Sequence, residues 1–387
     1  MFTARPALPR SGRNDADENR QYRNLTAVLS GRHYLIAIGS YTESYGAFRA
    51  HGDGITVIGL SPVGKLDFVD SAYLPNPSYL AYSPAHEKLY STIETRDGRA
   101  TVVAMQAPRP GRRLTVAGDG RTTGRLPCHV DLHPLGAWIA WACYDSGDVF
   151  IRKVSPTGGI EPGTGDRAIR KGCGPHPVRQ AKSHPHAAVF SPEGCWLLVP
   201  DLGTDEVAAY PFDASAGMLG RARVWRAPPG SGPRTLAFSR CHRHIMLVSE
   251  LSSEVSLLQW HDGAIRECGR VSSREPAAFS KRKDNTASGL RLHPDGIHFG
   301  VTNRGDNTVA IFRVNSRDGP PERCLAFPSG GTKPRDFGFS PCGRWLVSAN
   351  QDSDNCVLFE IGLSPVPFVR ETAQIAVRSP SCVCFVA

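Results

Sequence analysis

The sequence predicts an all-β fold, specifically a seven-bladed β-propeller. Three observations predict it. One sequence pattern recurs along nearly the whole chain, and helical i, i+3, i+4 periodicity is nowhere sustained. The 387 residues also include 39 Gly and 31 Pro, more than a helical bundle tolerates. At roughly 100–200 residues per domain, the length allows two or three domains or one large repeat fold, and the recurrence favours the repeat.

Six segments align: PSYLAYSPAHEKLYSTIET from Pro77, PCHVDLHPLGAWIAWACYDSGDV from Pro127, PHAAVFSPEGCWLLVPDLGTDEV from Pro185, PRTLAFSRCHRHIMLVSELSSEV from Pro233, SGLRLHPDGIHFGVTNRGDNTV from Ser288 and PRDFGFSPCGRWLVSANQDSDNCV from Pro334. Their starts are 50, 58, 48, 55 and 46 residues apart, and an incomplete copy, PSCVCFVA, follows after another 46. Each unit opens with a short alternating apolar run (Leu236, Phe238 in one copy), the first strand. A turn such as SPEG, HPDG or SPCG leads to a stronger apolar run, WLLVP or WLVSAN, the second strand. A polar turn (DLGTD, NRGDN) precedes a β-branched run such as NTVAIFRV, the third. A Gly-rich turn and a less regular stretch supply the fourth. Four strands every ~40–50 residues make one propeller blade.

The chain ends complete the ring. HYLIAIGSYTE matches a second strand, GITVIGL a third and KLDFVDSAY a fourth, while SCVCFVA at the C-terminus supplies the missing first strand. Six complete units and one composite blade give seven, with no open sheet edge at the closure. The rivals are an open β-solenoid and two smaller propellers. The expected organisation is a disordered tail over residues 1–32 and a single propeller over 33–387. The tail lacks the apolar stretch of a secretory signal; its Arg-rich start also suits an organelle transit peptide, against which Asp15, Asp17 and Glu18 speak.

Composition narrows the function classes. No run approaches ~20 apolar residues, so no membrane-spanning helix is expected. The net charge of +9 comes from dispersed Lys and Arg without an RNA-binding motif, so no nucleic-acid partner is expected. Eleven Cys, an odd number without a CxxC pair, point to a reducing, cytoplasmic compartment and no structural zinc. GxxxxGKS/T, GxSxG and HEXXH are all absent, and no cofactor or metal is expected.

In a propeller the first strand lines the central channel. Its start and the end of the second strand therefore lie at one channel mouth. At first-strand starts stand His129, His184, His186, Arg234, Arg291 and Arg335. After second strands stand Asp145, Asp201, Glu250, Asn303, Arg304, Asn350 and Gln351, and Arg179 and Gln180 lie in the connection leading into SHPHAAVF. Taken singly, Asp145, Asp201, Asn303 and Asn350 read equally as turn residues that bond their own backbone, and His133 and His293 belong to turns on the opposite face. Taken together, the cations would repel one another unless an anion joined them. A small anionic ligand held by bidentate Arg contacts is the chemistry this pattern suits.

The runs PSYLAYSP, PCHVDLHP, RQAKSHPHAAVFSPEG, VPDLGTDEV, GSGPRTLAF, ELSSEVSLL, TNRGDNTVAIFRV and PRDFGFSPCGRWLVSANQDSDN resemble the lactonase family of seven-bladed propellers. Its best-known members are bacterial propeller-type 6-phosphogluconolactonases, with fungal carboxy-cis,cis-muconate cyclase a distant relative. The resemblance covers about residues 33 to 387. It implies hydrolysis of a phosphorylated sugar lactone, foremost 6-phosphoglucono-1,5-lactone in the pentose phosphate pathway, by a cytoplasmic enzyme. Two alternatives stand beside it: a lactonase or lactonising enzyme for another anionic substrate such as a muconolactone, and a non-catalytic binding propeller. The resemblance places His184, His186, Arg179, Arg234, Glu250, Arg304 and Arg335 at the active mouth; Tyr41 and Thr42 keep its first motif. One departure is Gly289, where the family usually has Glu. On this reading His186 or His184 is the general base, with Glu250 orienting it or serving as an alternative base. Arg234 and Arg335 stabilise the oxyanion, Arg179 and Arg304 hold the phosphate, and His129, Gln180 and Asn303 are further substrate contacts.

Overall fold

The computed structural model describes residues 33–44, 49–96, 100–109, 114–275, 284–314 and 319–386. The tail expected over 1–32 lies outside the described residues. The described residues form strands and no helix, arranged as seven antiparallel sheets. Hence no helix among them is long and apolar enough to cross a membrane.

Blade 1 is the composite expected from the chain ends. Pro380–Val386 pairs with Tyr34–Ser40, followed outward by Ile55–Leu60 and Leu66–Ala72. Blades 2 to 7 follow in chain order over residues 80–122, 127–169, 189–226, 233–272, 287–328 and 334–376. This is one closed ring, and it replaces both the solenoid and the two-propeller alternatives. Every blade runs from an inner first strand to an outer fourth, as the alternating patterns require.

Seven apolar clusters hold the ring, one at each junction between neighbouring blades. Trp345 and Leu358 of blade 7 meet Ile36 and Ile38 of blade 1 at the closure. Trp141 of blade 3 packs with Tyr90 of blade 2. Burying one such large side chain contributes about 1.5–3 kcal/mol, so the second strands, fully buried in four blades, anchor the disc. The turn histidines are part of the same scaffold. His133 Nε2 lies 3.1 Å from Gly194 O and His293 Nε2 2.9 Å from Gly343 O, each tying its turn to that of the next blade.

Two features of the inner strands shape the channel mouth. In five blades the register with the second strand slips at the inner strand's first residues, beside Pro127, Pro233, Ala287, Pro334 and Pro380. Such a bulge leaves an extra residue unpaired and re-aims its side chain. In the four that open with Pro, Cys128, Arg234, Arg335 and Ser381 are the skipped residues, and all four line the channel cavity. Blade 4 departs further. Its inner strand is only Val189–Phe190, continued by an isolated bridge between Pro185 and Asp201. The connection carrying Arg179 to His186 thus forms the mouth itself.

Candidate active site

The mouth is built from two equivalent positions of the repeat. One is the residue after the inner-strand Pro, namely Ser78, Cys128, His186, Arg234, Arg335 and Ser381 in six blades. The other directly follows the second strand: Tyr41, Glu94, Tyr144, Leu202, Glu250, Arg304 and Gln351. Antiparallel pairing sets the two positions side by side at one end of each blade.

Glu250 is the centre. It is 1% exposed, and three guanidinium groups from three segments converge on it. Arg179 Nη2 donates to Oε1 at 2.5 Å. Arg234 Nε and Arg304 Nη2 each stand 2.9 Å from Oε2, in charge contacts not aligned as hydrogen bonds. Burial alone would raise the Glu250 carboxyl. Arg304, Arg179 and Arg234 outweigh it and hold the group well below the usual carboxylate range. Arg304 in turn is lowered to about 10 by burial, against the attraction of Glu250 and with repulsion from Arg234 and Arg335. Its buried Nε has no hydrogen-bond acceptor. Arg335 lies over the Tyr41 ring at 4.9 Å, and the Tyr41 hydroxyl donates to Glu94 at 2.9 Å. Among the described residues, these contacts gather four guanidinium groups around two carboxylates, Glu250 and Glu94.

His186 borders this cluster. Its Nε2 is 3.9 Å from Glu250 Oε2, too far for a hydrogen bond, and its Nδ1 is 3.7 Å from Cys128 Sγ. Burial, reinforced by Arg234 and Arg335 and opposed by Glu250, holds its protonation well below the ordinary histidine range. The imidazole is neutral at neutral pH. Together His186, Arg234, Arg335 and Cys128 line one cavity at the channel mouth.

Deeper in the channel a second group closes the wall. Arg291 donates to Asp336 Oδ2 at 2.5 Å and to the Tyr79 hydroxyl at 2.7 Å. Burial pushes the Tyr79 phenol up to about 12, and it lowers His129 to about 3 with help from Arg291 and Arg234. The His129 ring packs 4.3 Å from Tyr79. Because Arg291 is already matched by Asp336, the surplus positive charge belongs to the rim above. Gly289 sits in this wall, where an added Cβ would come within 3.0 Å of the Asp336 backbone and 2.9 Å of its carboxylate. A side chain at position 289 would crowd the Arg291 partner.

The structure thus brings together His186, Arg234, Glu250, Arg304, Arg179 and Arg335, with His129 in the wall below. Three sequence-derived candidates stand elsewhere. Gln180 is fully buried; its amide donates to Leu202 O and Asp205 and accepts from His176 N, so it braces the loop and cannot serve as a substrate contact. Asn303 is likewise saturated by Ser273, Asn285 and Thr308. His184 stacks on Tyr144 at 4.2 Å, bonds Tyr144 O through Nδ1 at 2.7 Å and is not among the cavity-lining residues. Asp145 pairs with Arg125 and Lys182. Asp201 accepts from Ser183, His184 N and Gly203 N, as its turn reading anticipated. The sequence reading did not single out Glu94, Tyr79, Tyr144, Cys128 and Asp336. All but Tyr79 and Asp336 occupy the two repeat positions named above, and those two occupy the next one, so superposing the repeats position by position would have found them.

The described residues thus form a closed seven-bladed propeller whose channel mouth holds a cluster of guanidinium groups and a buried histidine. The family described as "Lactonase, 7-bladed beta-propeller" matches residues 35–385. The chain belongs to that family. It is 32% identical over 317 residues to a 6-phosphogluconolactonase of Bacillus subtilis, covering 81% of this chain and 88% of that one. A crystal structure of a putative 6-phosphogluconolactonase from Bacteroides fragilis superposes with a TM-score of 0.82 at 26% identity, covering 92% of this chain and 98% of that one. The periplasmic gluconolactonase PpgL of Pseudomonas aeruginosa gives 0.81 at 30% identity, covering 92% and 99%.

Proposed function

We propose that this chain is a lactone hydrolase whose substrate is a phosphorylated sugar lactone, 6-phosphoglucono-1,5-lactone foremost. The observation that carries this reading is the convergence of Arg179, Arg234, Arg304 and Arg335 on one mouth that holds a neutral histidine. Four guanidinium groups against two carboxylates favour a doubly charged anion. The family membership and the relatives' names supply the reaction class.

Ester hydrolysis needs a base for water, donors for the developing oxyanion and an anchor for the charged end of the substrate. His186 is the base, neutral and able to accept the proton of an attacking water. Arg234 and Arg335, which share the cavity with it, face the oxyanion that develops at the lactone carbonyl. Arg179 and Arg304, the other two guanidinium groups in contact with Glu250, take the phosphate. Glu250 is too weak a base beside three guanidinium groups, and its part is to hold them in place. His129 contributes a neutral wall. The water attacks the carbonyl as His186 takes its proton, and the ring ester opens as that proton passes to the leaving ring oxygen. Eleven cysteines with no disulfide among them suit a reducing, cytoplasmic setting.

Arg179 gives the cleanest test, being the most exposed of the three cations on Glu250. A charge-assisted hydrogen bond contributes about 1.5–3 kcal/mol, or roughly tenfold or more in affinity. Arg179→Gln is expected to raise KM for the phosphorylated lactone by about that factor and to leave KM for glucono-1,5-lactone within about twofold. An equal rise for both substrates would place the phosphate elsewhere.

A further inference from the structure

The base proposed above is useful only if its free lone pair faces the reacting water. A neutral imidazole carries one proton, on Nδ1 or on Nε2, and the partner of one nitrogen decides the state of the other. For His186 the side chain in contact with Nδ1 is the thiol of Cys128, on the neighbouring blade at the bulged start of its inner strand.

The surroundings of that sulfur fix the direction of the contact. Cys128 Sγ is ringed by three carbonyl oxygens: His186 O at 3.5 Å, Ala142 O at 3.7 Å and Pro185 O at 3.8 Å. A carbonyl accepts and never donates, so the single S–H hydrogen is taken by one of them. The sulfur lone pairs are then left for donors, its own backbone N–H and, among the side chains in contact within the described residues, Nδ1–H of His186. On the far side of the ring, Nε2 and Glu250 Oε2 stand 3.9 Å apart. A protonated Nε2 beside an ionised carboxylate would close to about 2.7–2.9 Å; two acceptors do not close.

We infer that Cys128 is a positioning residue that accepts a hydrogen bond from His186 Nδ1–H and so keeps the Nε2 lone pair available to the substrate water. The inference rests on the lactonase reading for its kinetic consequence, but not for the tautomer itself. Burial drives the thiol far above its ordinary range, so it stays protonated and takes no nucleophilic part. Serine preserves the arrangement, since its hydroxyl donates to a carbonyl and accepts from Nδ1–H. Alanine abolishes it and lets Nε2 capture the proton.

Two measurements test this. Long-range proton–nitrogen NMR of the ¹⁵N-labelled wild-type protein above pH 7 reads the tautomer directly, the His186 signals being those lost in His186→Gln. The expected result is a protonated Nδ1 and a bare Nε2; a protonated Nε2 overturns the inference without reference to any substrate. In lactone hydrolysis, Cys128→Ala is expected to lower kcat about tenfold with KM within about twofold, and Cys128→Ser to recover most of it. Equal kcat in the Ala and Ser variants overturns the positioning role, whether both are high or both are low. A bare Nε2 in a wild-type protein that hydrolyses no lactone would uphold the tautomer and instead refute the proposed reaction.

Discussion

Replacing His186 with alanine lowers kcat for lactone hydrolysis by about 100- to 10,000-fold, the range a general base contributes, while the propeller remains folded. The second half of that expectation follows from the position of the side chain. His186 stands at the channel mouth, outside all seven inter-blade clusters. The groups facing its ring are Arg234, Glu250, Arg335, Cys128 and the edge of Tyr144. Burial acts first and Arg234 and Arg335 add to it, so the ring is protonated only well below pH 6.5, Glu250 notwithstanding. The kcat/KM profile of the wild-type protein is therefore flat from about pH 8 down through 6.5 and falls only well below that. A midpoint near 7 would assign the base to another group. Stability follows the same sign. The unfolded chain binds a proton at His186 near pH 6.5 and the folded chain does not, so its contribution is whole above 6.5 and is lost as pH falls toward the folded value. His186→Ala should lose less stability than the wild type on acidification through that window.

Glu250→Gln is the second large effect, and it falls on stability. The carboxylate is the shared partner of Arg234 and Arg304, 11% and 12% exposed in their side chains, and of Arg179, whose 35% exposure lets water screen part of its contact. Removing one partner from a buried ion cluster leaves charges uncompensated and costs about 3–5 kcal/mol. A lower melting temperature is expected, together with loss of hydrolysis as the guanidinium groups move apart. The mechanism predicts a remedy that ordinary core damage would not show. Inorganic phosphate or sulfate should stabilise the Gln variant more than the wild type, because a more cationic mouth binds anions more tightly. A variant as stable as wild type in anion-free buffer would contradict the clamp role given to Glu250.

The fold was legible because a propeller repeats its chemistry. The spacing of PHAAVFSPEG, PRTLAFSRCH and PRDFGFSPCG gave the blades, and the unmatched PSCVCFVA and HYLIAIGSYTE gave the closure. The site was legible in part. Arg234, Glu250, Arg304 and Arg335 occupy equivalent repeat positions, and equivalence in the repeat becomes adjacency on the ring. What sequence could not give was side-chain direction within irregular backbone. Gln180 and Arg179 are neighbours in the one connection that replaces most of an inner strand, yet Gln180 turns inward to Asp205 and Arg179 outward to Glu250. His184 and His186 are two residues apart and would share a face in a regular strand. Here the first stacks on Tyr144 and the second lines the cavity. Cys128 was passed over, although it follows Pro127 as Arg234 follows Pro233, because the type of residue at that repeat position changes from blade to blade.

The central claim is that the surplus positive charge of the mouth selects a phosphorylated lactone. Enzymatic hydrolysis of freshly generated 6-phosphoglucono-1,5-lactone, compared with glucono-1,5-lactone and corrected for spontaneous opening, tests it most directly. The expected result is a kcat/KM for the phosphorylated substrate about tenfold or more above that for the unphosphorylated one, equivalent to at least one charge-assisted contact. Equal rates for the two lactones, or acceleration of neither by the folded protein, would contradict it.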